Sequence, residues 1–222
     1  MKKYIFKKDN FTILRKAISP ELSEFIYNYF LLKKQVYYTM NQYNYLNPFD
    51  KDWGYHGDGQ VANAFGHYSD IAMETLLLKC QDIMEKTTGL KLFPTYSYAR
   101  AYTKGCELVR HKDRLACEIS TTMNLGGDEW PIFIEPNLKK GNHDPNGYIP
   151  SDSKGLKVIL NPGDMLIYKG NILEHWRDPL KGEECVQVFL HYVNKKNKDA
   201  LRQIFDTRKH VGLPSWFKGN IK

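Results

Sequence analysis

Apolar positions along the chain change their period near residue 94. Before it they recur at helical spacing. In SPELSEFIYNYFLLKKQ (19–35), Leu22, Phe25, Ile26, Tyr29 and Phe30 form one stripe behind a Ser-Pro-Glu start signal. A second stripe, Met73, Leu77, Cys80 and Met84, predicts a helix over about 70–86 that stops at Gly89. Beyond residue 94 the pattern becomes short β-like runs between turn residues. They are TYSYARAY (95–102), CELVRHKD (106–113), ACEISTTMNL (116–125), PIFIE (131–135), LKVIL (156–160), DMLIYK (164–169), ILEHWR (172–177) and CVQVFLHYV (185–193). NPGD (161–164) and LGGDEWP (125–131) are strong turns. Eight such strands predict a barrel or a two-sheet jelly roll. A closing helix is expected over about 198–208.

Between the two helices lies NQYNYLNPFDKDWGYHGDGQVANAFGHY (41–68), rich in Gly, Asn, Asp and aromatics and without a clear period. A loop of that length inside a compact domain is usually functional, so it is read as a lid or substrate-binding segment. No repeat or linker divides the chain. It is expected to be one domain over 1–222, with a helical and lid portion to about 93, a β core over about 94–194, and a C-terminal helix and tail over 195–222.

Composition narrows the class. The 222 residues are 42% hydrophobic and 14% aromatic, enough core-forming material to exclude a disordered chain. The basic N-terminus has no signal-peptide core and no stretch is apolar over a membrane's width, so a cytoplasmic protein without membrane contact is expected. Cys80, Cys106, Cys117 and Cys185 lack CxxC spacing and read as reduced, buried apolar residues. The net charge of +7 gathers in short runs such as KKNK (195–198) and at the termini. That reads first as a solvated basic face, with nucleic acid a less favoured partner.

The chemistry starts at LVRHKDR (108–114). On a strand, side chains at i and i+2 leave the same face, so His111 and Asp113 point one way together. Two such ligands hold a divalent metal if a histidine arrives from a later strand, the facial triad of non-haem Fe(II) sites. His175, after the NPGD turn and the next strand, is the best placed; His191 in the last strand is the runner-up, and His143 sits in a turn-rich surface segment.

In this context the segment from Thr95 to Val193 resembles the double-stranded β-helix core of the Fe(II)/2-oxoglutarate-dependent oxygenases, in their prolyl-hydroxylase-like branch. AYTKGCELVRHKD, ISTTMNLGG, LNPGDMLIYKG and EHWRDPLKGEECVQVFLHYV carry the resemblance, over a little under half of the chain. It implies an α+β, mainly β fold: a double-stranded β-helix (jelly-roll or cupin-like) core with N-terminal helices packed on the major sheet. It implies His111, Asp113 and His175 as Fe(II) ligands, with 2-oxoglutarate as cosubstrate and O2 as oxidant. The implied reaction hydroxylates an unactivated C–H bond of a peptide side chain, amino acid or small molecule, releasing succinate and CO2.

One position departs from the family. That branch holds the far carboxylate of 2-oxoglutarate with an Arg or Lys beginning the last strand, about ten residues after the distal His. Here Glu184 to Val186 stand there, with Cys185 the closest match and no cation. Arg177, two residues after His175 and so on the same face, is the replacement candidate, because a guanidinium suits a bidentate carboxylate. Arg114 is a second candidate, for cosubstrate or substrate, although its parity points it outward toward Glu118. Tyr102 occupies a place where the family often has a cosubstrate-facing tyrosine. Ser120, Thr122 and Asn124 alternate along one strand face, and Gln187 faces inward if Cys185 does. Substrate choice is assigned to the 41–68 loop, with Tyr43, Tyr45, Trp53, Tyr55 and His56, and to the insertion Asn137 to Lys154. The missing cation keeps open a cupin-like metal enzyme that uses no 2-oxoglutarate. A non-enzymatic β-barrel binding an anionic partner is the third reading, and iron-dependent halogenation is disfavoured because Asp113 is present.

Overall fold

The computed structural model describes residues 3–47, 49–145 and 147–218. A single turn α1 (Phe6–Asp9) and strand β1 (Phe11–Leu14) lead into α2 (Pro20–Gln42). Ser19 caps α2 by accepting from Leu22 N at 3.2 Å, and Pro20 takes the first helical position, where a missing N–H costs nothing. The helix runs past residue 35 because no breaker intervenes. Ile26 and Phe30 are buried as the stripe predicts, whereas Phe25 is exposed.

Two short strands, β2 (Tyr55–His56) and β3 (Phe65–Tyr68), precede α3 (Ile71–Thr88). Asp70 caps α3, accepting from Ala72 N and Met73 N, and Gly89 closes it at φ 71°. Met73, Leu77, Cys80 and Met84 are all buried. The strands β4 (Leu92–Thr103), β5 (Leu108–His111), β6 (Ile119–Gly127), β7 (Ile132–Ile134), β8 (Asn142–Asp144), β9 (Gly147–Ile149), β10 (Leu156–Val158), β11 (Met165–Tyr168), β12 (His175–Arg177) and β13 (Glu184–Asn194) follow.

They form a seven-stranded sheet, β1-β11-β6-β13-β4-β3-β2, facing a four-stranded sheet, β10-β7-β12-β5; β8 and β9 make a separate hairpin inside the 137–154 insertion. Every pairing among these strands is antiparallel. The fold is mainly β with helices on the large sheet, as the sequence pattern and the resemblance predict.

Alternation divides the large sheet's residues between two environments. Val186, Val188, Leu190 and Tyr192 of β13 join Ile119, Met123 and Leu125 of β6 in a core shared with α2 and α3. Cys185, Gln187, Phe189 and His191, together with Ser120 and Thr122, face the small sheet. Because both faces are covered, nearly every residue of β6 and β13 is buried, the polar ones that face the small sheet included. All four cysteines are free and buried. Among the described residues no helix is long and apolar enough to cross a membrane.

Two expectations are corrected here. The 41–68 segment is not structureless, since β3 pairs with β4 and extends the large sheet. The closing helix shrinks to α4 (Ala200–Gln203), after which Phe205, Asp206 and Thr207 take positive φ values of 51°, 54° and 67°. That kink sends the tail back over the sheet, where Arg208 forms a buried ion pair with Glu74 at 3.1 Å.

Candidate metal centre

β5 and β12 are neighbours in the small sheet, and their register sets His111 directly opposite His175. Opposed residues on one sheet face have Cβ atoms about 5 Å apart, and these two imidazole centroids are 4.2 Å apart. β5 ends at His111, so Asp113 lies beyond the strand, where its N–H donates to Gly170 O at 2.9 Å. Its carboxylate nevertheless reaches the same point. Asp113 Oδ1 stands 3.5 Å from Nε2 of both His111 and His175.

Both imidazoles are held in one tautomer. Nδ1 lies 2.7 Å from Val109 O in His111 and 2.9 Å from Leu173 O in His175. A carbonyl only accepts, so each Nδ1 carries a proton, and a ring in its neutral form turns an Nε2 lone pair toward Asp113. Burial and the neighbouring His175 push the His111 pKa down. Burial of Asp113 raises its carboxyl, but His175 and His111, where protonated, outweigh burial and hold it well below the usual range. With both rings neutral, three acceptors converge within 4.8 Å of one another. Such a set repels itself unless a cation sits among its atoms, which is the donor chemistry of a two-His-one-carboxylate metal site.

The carboxylate is locked from behind. Asp113 Oδ2 accepts from Ser120 Oγ at 2.8 Å, and Gly170 leaves room for it. A Cβ at residue 170 would come 2.1 Å from Asp113 Oδ2 and 2.6 Å from Ser120 Oγ. Gly170→Ala is accordingly expected to turn the carboxylate and weaken Co(II) binding by roughly 10–100-fold, the usual effect of disturbing a ligand's support. A Co(II) titration followed by its visible absorption checks this; unchanged affinity would show that the close approach has no role.

His191, the runner-up ligand, stands apart from the triad. Its Nδ1 is 2.9 Å from Ser120 Oγ, and its ring packs on Tyr96 with centroids 4.5 Å apart. It also falls in a second cluster with Asp113 and Cys117. There the Cys117 thiol is engaged by Tyr96 OH at 3.0 Å, and Ser120 occupies the space between Asp113 and His191. Burial pushes the His191 pKa down to about 4. The unfolded chain protonates this ring near pH 6.5 and the folded chain does not. Its contribution is intact above about pH 6.5 and is lost progressively as pH falls toward 4. Urea midpoints measured between pH 7.5 and 4.5 should fall, with a shallower slope for His191→Gln.

A cavity of about 270 Å³ opens over the triad, walled by Tyr96, Tyr98, Arg100, Tyr168 and Phe189, with Gln60 at its edge. Arg177 lies deeper and is 1% exposed. From β12 it crosses the interior to the large sheet, where Nη2 donates to Thr122 Oγ1 and Gln187 Oε1, both at 3.2 Å. Nη1 donates to Trp130 O, and the guanidinium carbon lies 4.9 Å from the Trp130 ring centre. Asp178, Glu183 and Glu184 do not pair with it. Among the described residues Arg177 has no acidic partner, its Nε is one of two buried side-chain polar atoms without a hydrogen bond, and burial pushes its pKa down.

The other expected residues divide. Thr122 and Gln187 bond to each other and to Arg177, and Tyr102 packs edge-on against Trp130 with its hydroxyl 3.4 Å from Arg100 Nη1. Asn124 does not reach this group, because its amide is engaged by Leu160 O and Gly126 N. Arg114 lines the cavity, but its Nη1 and Nη2 donate to Asp206 in the tail, at 2.6 and 2.8 Å, and Glu118 is not its partner. Tyr55 turns toward a separate cavity of about 440 Å³, His56 meets Tyr38 OH at 2.5 Å, and Trp53, Tyr43 and Tyr45 are exposed. None of these five lines the cavity over the triad. What the 41–68 segment brings there is Tyr68, at the end of β3, and Gln60, on a turn made by Asp58, whose Oδ1 accepts from Gln60 N and Val61 N, each at 2.8 Å. The GDGQ sequence signals that turn, but not what it faces.

No family model and no curated protein matches the sequence. Solved structures do match the fold. SnoN from nogalamycin biosynthesis, described as a non-heme alpha ketoglutarate dependent epimerase, is 9% identical in its complex with Fe3+, alpha ketoglutarate and nogalamycin RO. It superposes with a TM-score of 0.60, over 85% of this chain and 80% of that one. HygX from Streptomyces hygroscopicus, with nickel, 2-oxoglutarate and hygromycin B bound, is 12% identical at a TM-score of 0.59, over 86% and 85%. The viral collagen prolyl hydroxylase of Paramecium Bursaria Chlorella virus-1 is 12% identical at 0.50, over 85% and 98%. The chain thus has the double-stranded β-helix fold of the 2-oxoglutarate-dependent oxygenases.

Proposed function

We propose that this protein is an Fe(II)- and 2-oxoglutarate-dependent dioxygenase that hydroxylates an unactivated C–H bond of a peptide side chain, amino acid or small molecule. The observation that carries the reading is Arg177. A guanidinium that is fully buried, faces no carboxylate and keeps an unpartnered Nε is costly unless an anion joins it. It stands on the same strand as His175, two residues on, so the anion it awaits has to share the interior with the triad.

His111, Asp113 and His175 would hold the metal, and Arg177, steadied by Thr122 and Gln187, would take the far carboxylate of the cosubstrate. Fe(II) with 2-oxoglutarate and O2 supplies the oxidising power for C–H cleavage, leaving succinate and CO2. The chain's own part is positional. Asp113 stays anionic and fixed by Ser120, both imidazoles present Nε2, and the rings of Tyr168 and Phe189 exclude water from the reaction space. SnoN and HygX, each with a 2-oxo acid bound on this fold, support the cosubstrate. The 270 Å³ cavity suits a small molecule or a single side chain.

Anaerobic reconstitution with Fe(II) and 2-oxoglutarate tests the reading. A visible charge-transfer band should form, followed by succinate when O2 is admitted. Iron binding with neither would replace it by a cupin-like metal enzyme that uses no 2-oxoglutarate.

A further inference from the structure

The 57–64 loop reaches the triad through one atom. Gln60 Nε2 stands 3.0 Å from His111 Nε2, the nitrogen whose lone pair faces the metal position. The orientation of that amide is determined by its other end. Gln60 Oε1 lies 2.9 Å from Arg100 Nη1, and arginine has no acceptor, so the oxygen must face Arg100 and the NH2 must face the triad. Arg100 is itself held. It is buried, with Nε and Nη2 on Asp58 Oδ2 at 3.1 and 2.5 Å, and Tyr98 OH donates to the same oxygen at 2.7 Å. Asp58 in turn shapes the turn that carries Gln60. Asp58, Arg100 and Gln60 thus form a closed unit that aims an N–H donor at the donor atoms of the site.

A donor so placed is unsuited to ligating a metal. It is suited to an oxygen held there. We propose that Gln60 is a cosubstrate-positioning residue: with the His111 lone pair engaged by metal, its N–H donates to an oxygen of the metal-chelating 2-oxo acid. This rests on the 2-oxoglutarate reading above. It makes the loop a reporter of a loaded site, because the acid supplies the acceptor that His111 ceases to be.

Gln60→Glu separates this role from a structural one. The carboxylate still accepts from Arg100, so the turn is kept, while the donor is lost and an acceptor faces the acid. With Co(II) alone, the variant should bind at least as tightly as wild type, because the triad is intact and the new carboxylate faces the metal position. With Fe(II) under anaerobic conditions, titration with 2-oxoglutarate should show affinity lowered at least about tenfold, as for a lost hydrogen bond to a charged group, and a displaced charge-transfer band. Gln60→Ala, which removes the donor without adding a charge, should also weaken 2-oxoglutarate binding, by at least about tenfold. Wild-type affinity and band position in Gln60→Ala would overturn the proposal. A wild-type protein that binds Co(II) but forms no band with Fe(II) and 2-oxoglutarate would overturn the cosubstrate reading first, and this inference with it.

Discussion

Arg177→Met should abolish 2-oxoglutarate-dependent turnover while making the metal-free protein more stable. The two effects have opposite signs because the guanidinium is costly without its ligand and needed with it. In the free chain it is 1% exposed, has no acidic partner among the described residues and leaves Nε without a hydrogen bond. Replacing buried charge by an apolar side chain of similar length commonly stabilises by about 1–4 kcal/mol. Met also fills the space flexibly, and Thr122 and Gln187 retain their bond to each other at 3.1 Å. Truncating one member of a buried charge pair, by contrast, costs about 2–5 kcal/mol of binding, roughly 30- to several-thousandfold in affinity. Urea denaturation of the apo-protein and anaerobic titration of the Fe(II) form with 2-oxoglutarate measure the two sides. A variant that loses stability and keeps its affinity for 2-oxoglutarate would make Arg177 a structural residue held by Trp130, Thr122 and Gln187.

The second large effect is at Asp113. Asp113→Ala removes the only anion of the triad, leaving two neutral imidazoles 4.2 Å apart between centroids. Metal binding should fall below detection at micromolar protein, and turnover should drop by more than roughly a thousandfold, since the metal's contribution is worth several kcal/mol. The metal-free fold should lose little, because the backbone tie from residue 113 to Gly170 O does not use the side chain. What goes is the Ser120 hydrogen bond, worth about 1–2 kcal/mol. Co(II) titration, succinate release and a thermal melt of the apo-protein, taken together, distinguish a lost ligand from a lost fold. Retained Co(II) affinity would show that the metal binds elsewhere, since Asp113 belongs both to the triad and to the cluster with Cys117 and His191.

Helices and strands were readable because each buries a periodic set of neighbours. Asp70 and Gly89 bound α3 and its stripe lies in the core, since capping and amphipathicity act over a few residues. Parity was equally local. It put His175 and Arg177 on one face, and Ser120 with Thr122 on another, and these are the residues found around the site. It failed at Asn124, whose amide is taken by the 160–164 turn; at Asp113 the expected convergence with His111 holds, although the residue lies past the end of β5. β3 escaped notice because FGHY lacks alternation and is a strand only through its pairing with β4. Trp53, Tyr55 and His56 drew attention by their type, yet the loop residue that meets the triad is Gln60.

The sequence by itself determined the fold class, the identity and spacing of the three convergent side chains, and the presence of Arg177 two residues after the last of them. Each is a property of residues close together in the chain or of a motif order. Only the tertiary structure decided that His111 pairs across from His175, that Arg177 spans the two sheets to meet Thr122 and Gln187 without an acid, and that Arg100 turns the Gln60 amide toward His111. Those contacts join residues 10 to 64 positions apart, read from the numbering of each pair. Their geometry depends on sheet register and on which neighbours compete for each hydrogen bond, and no local period encodes either.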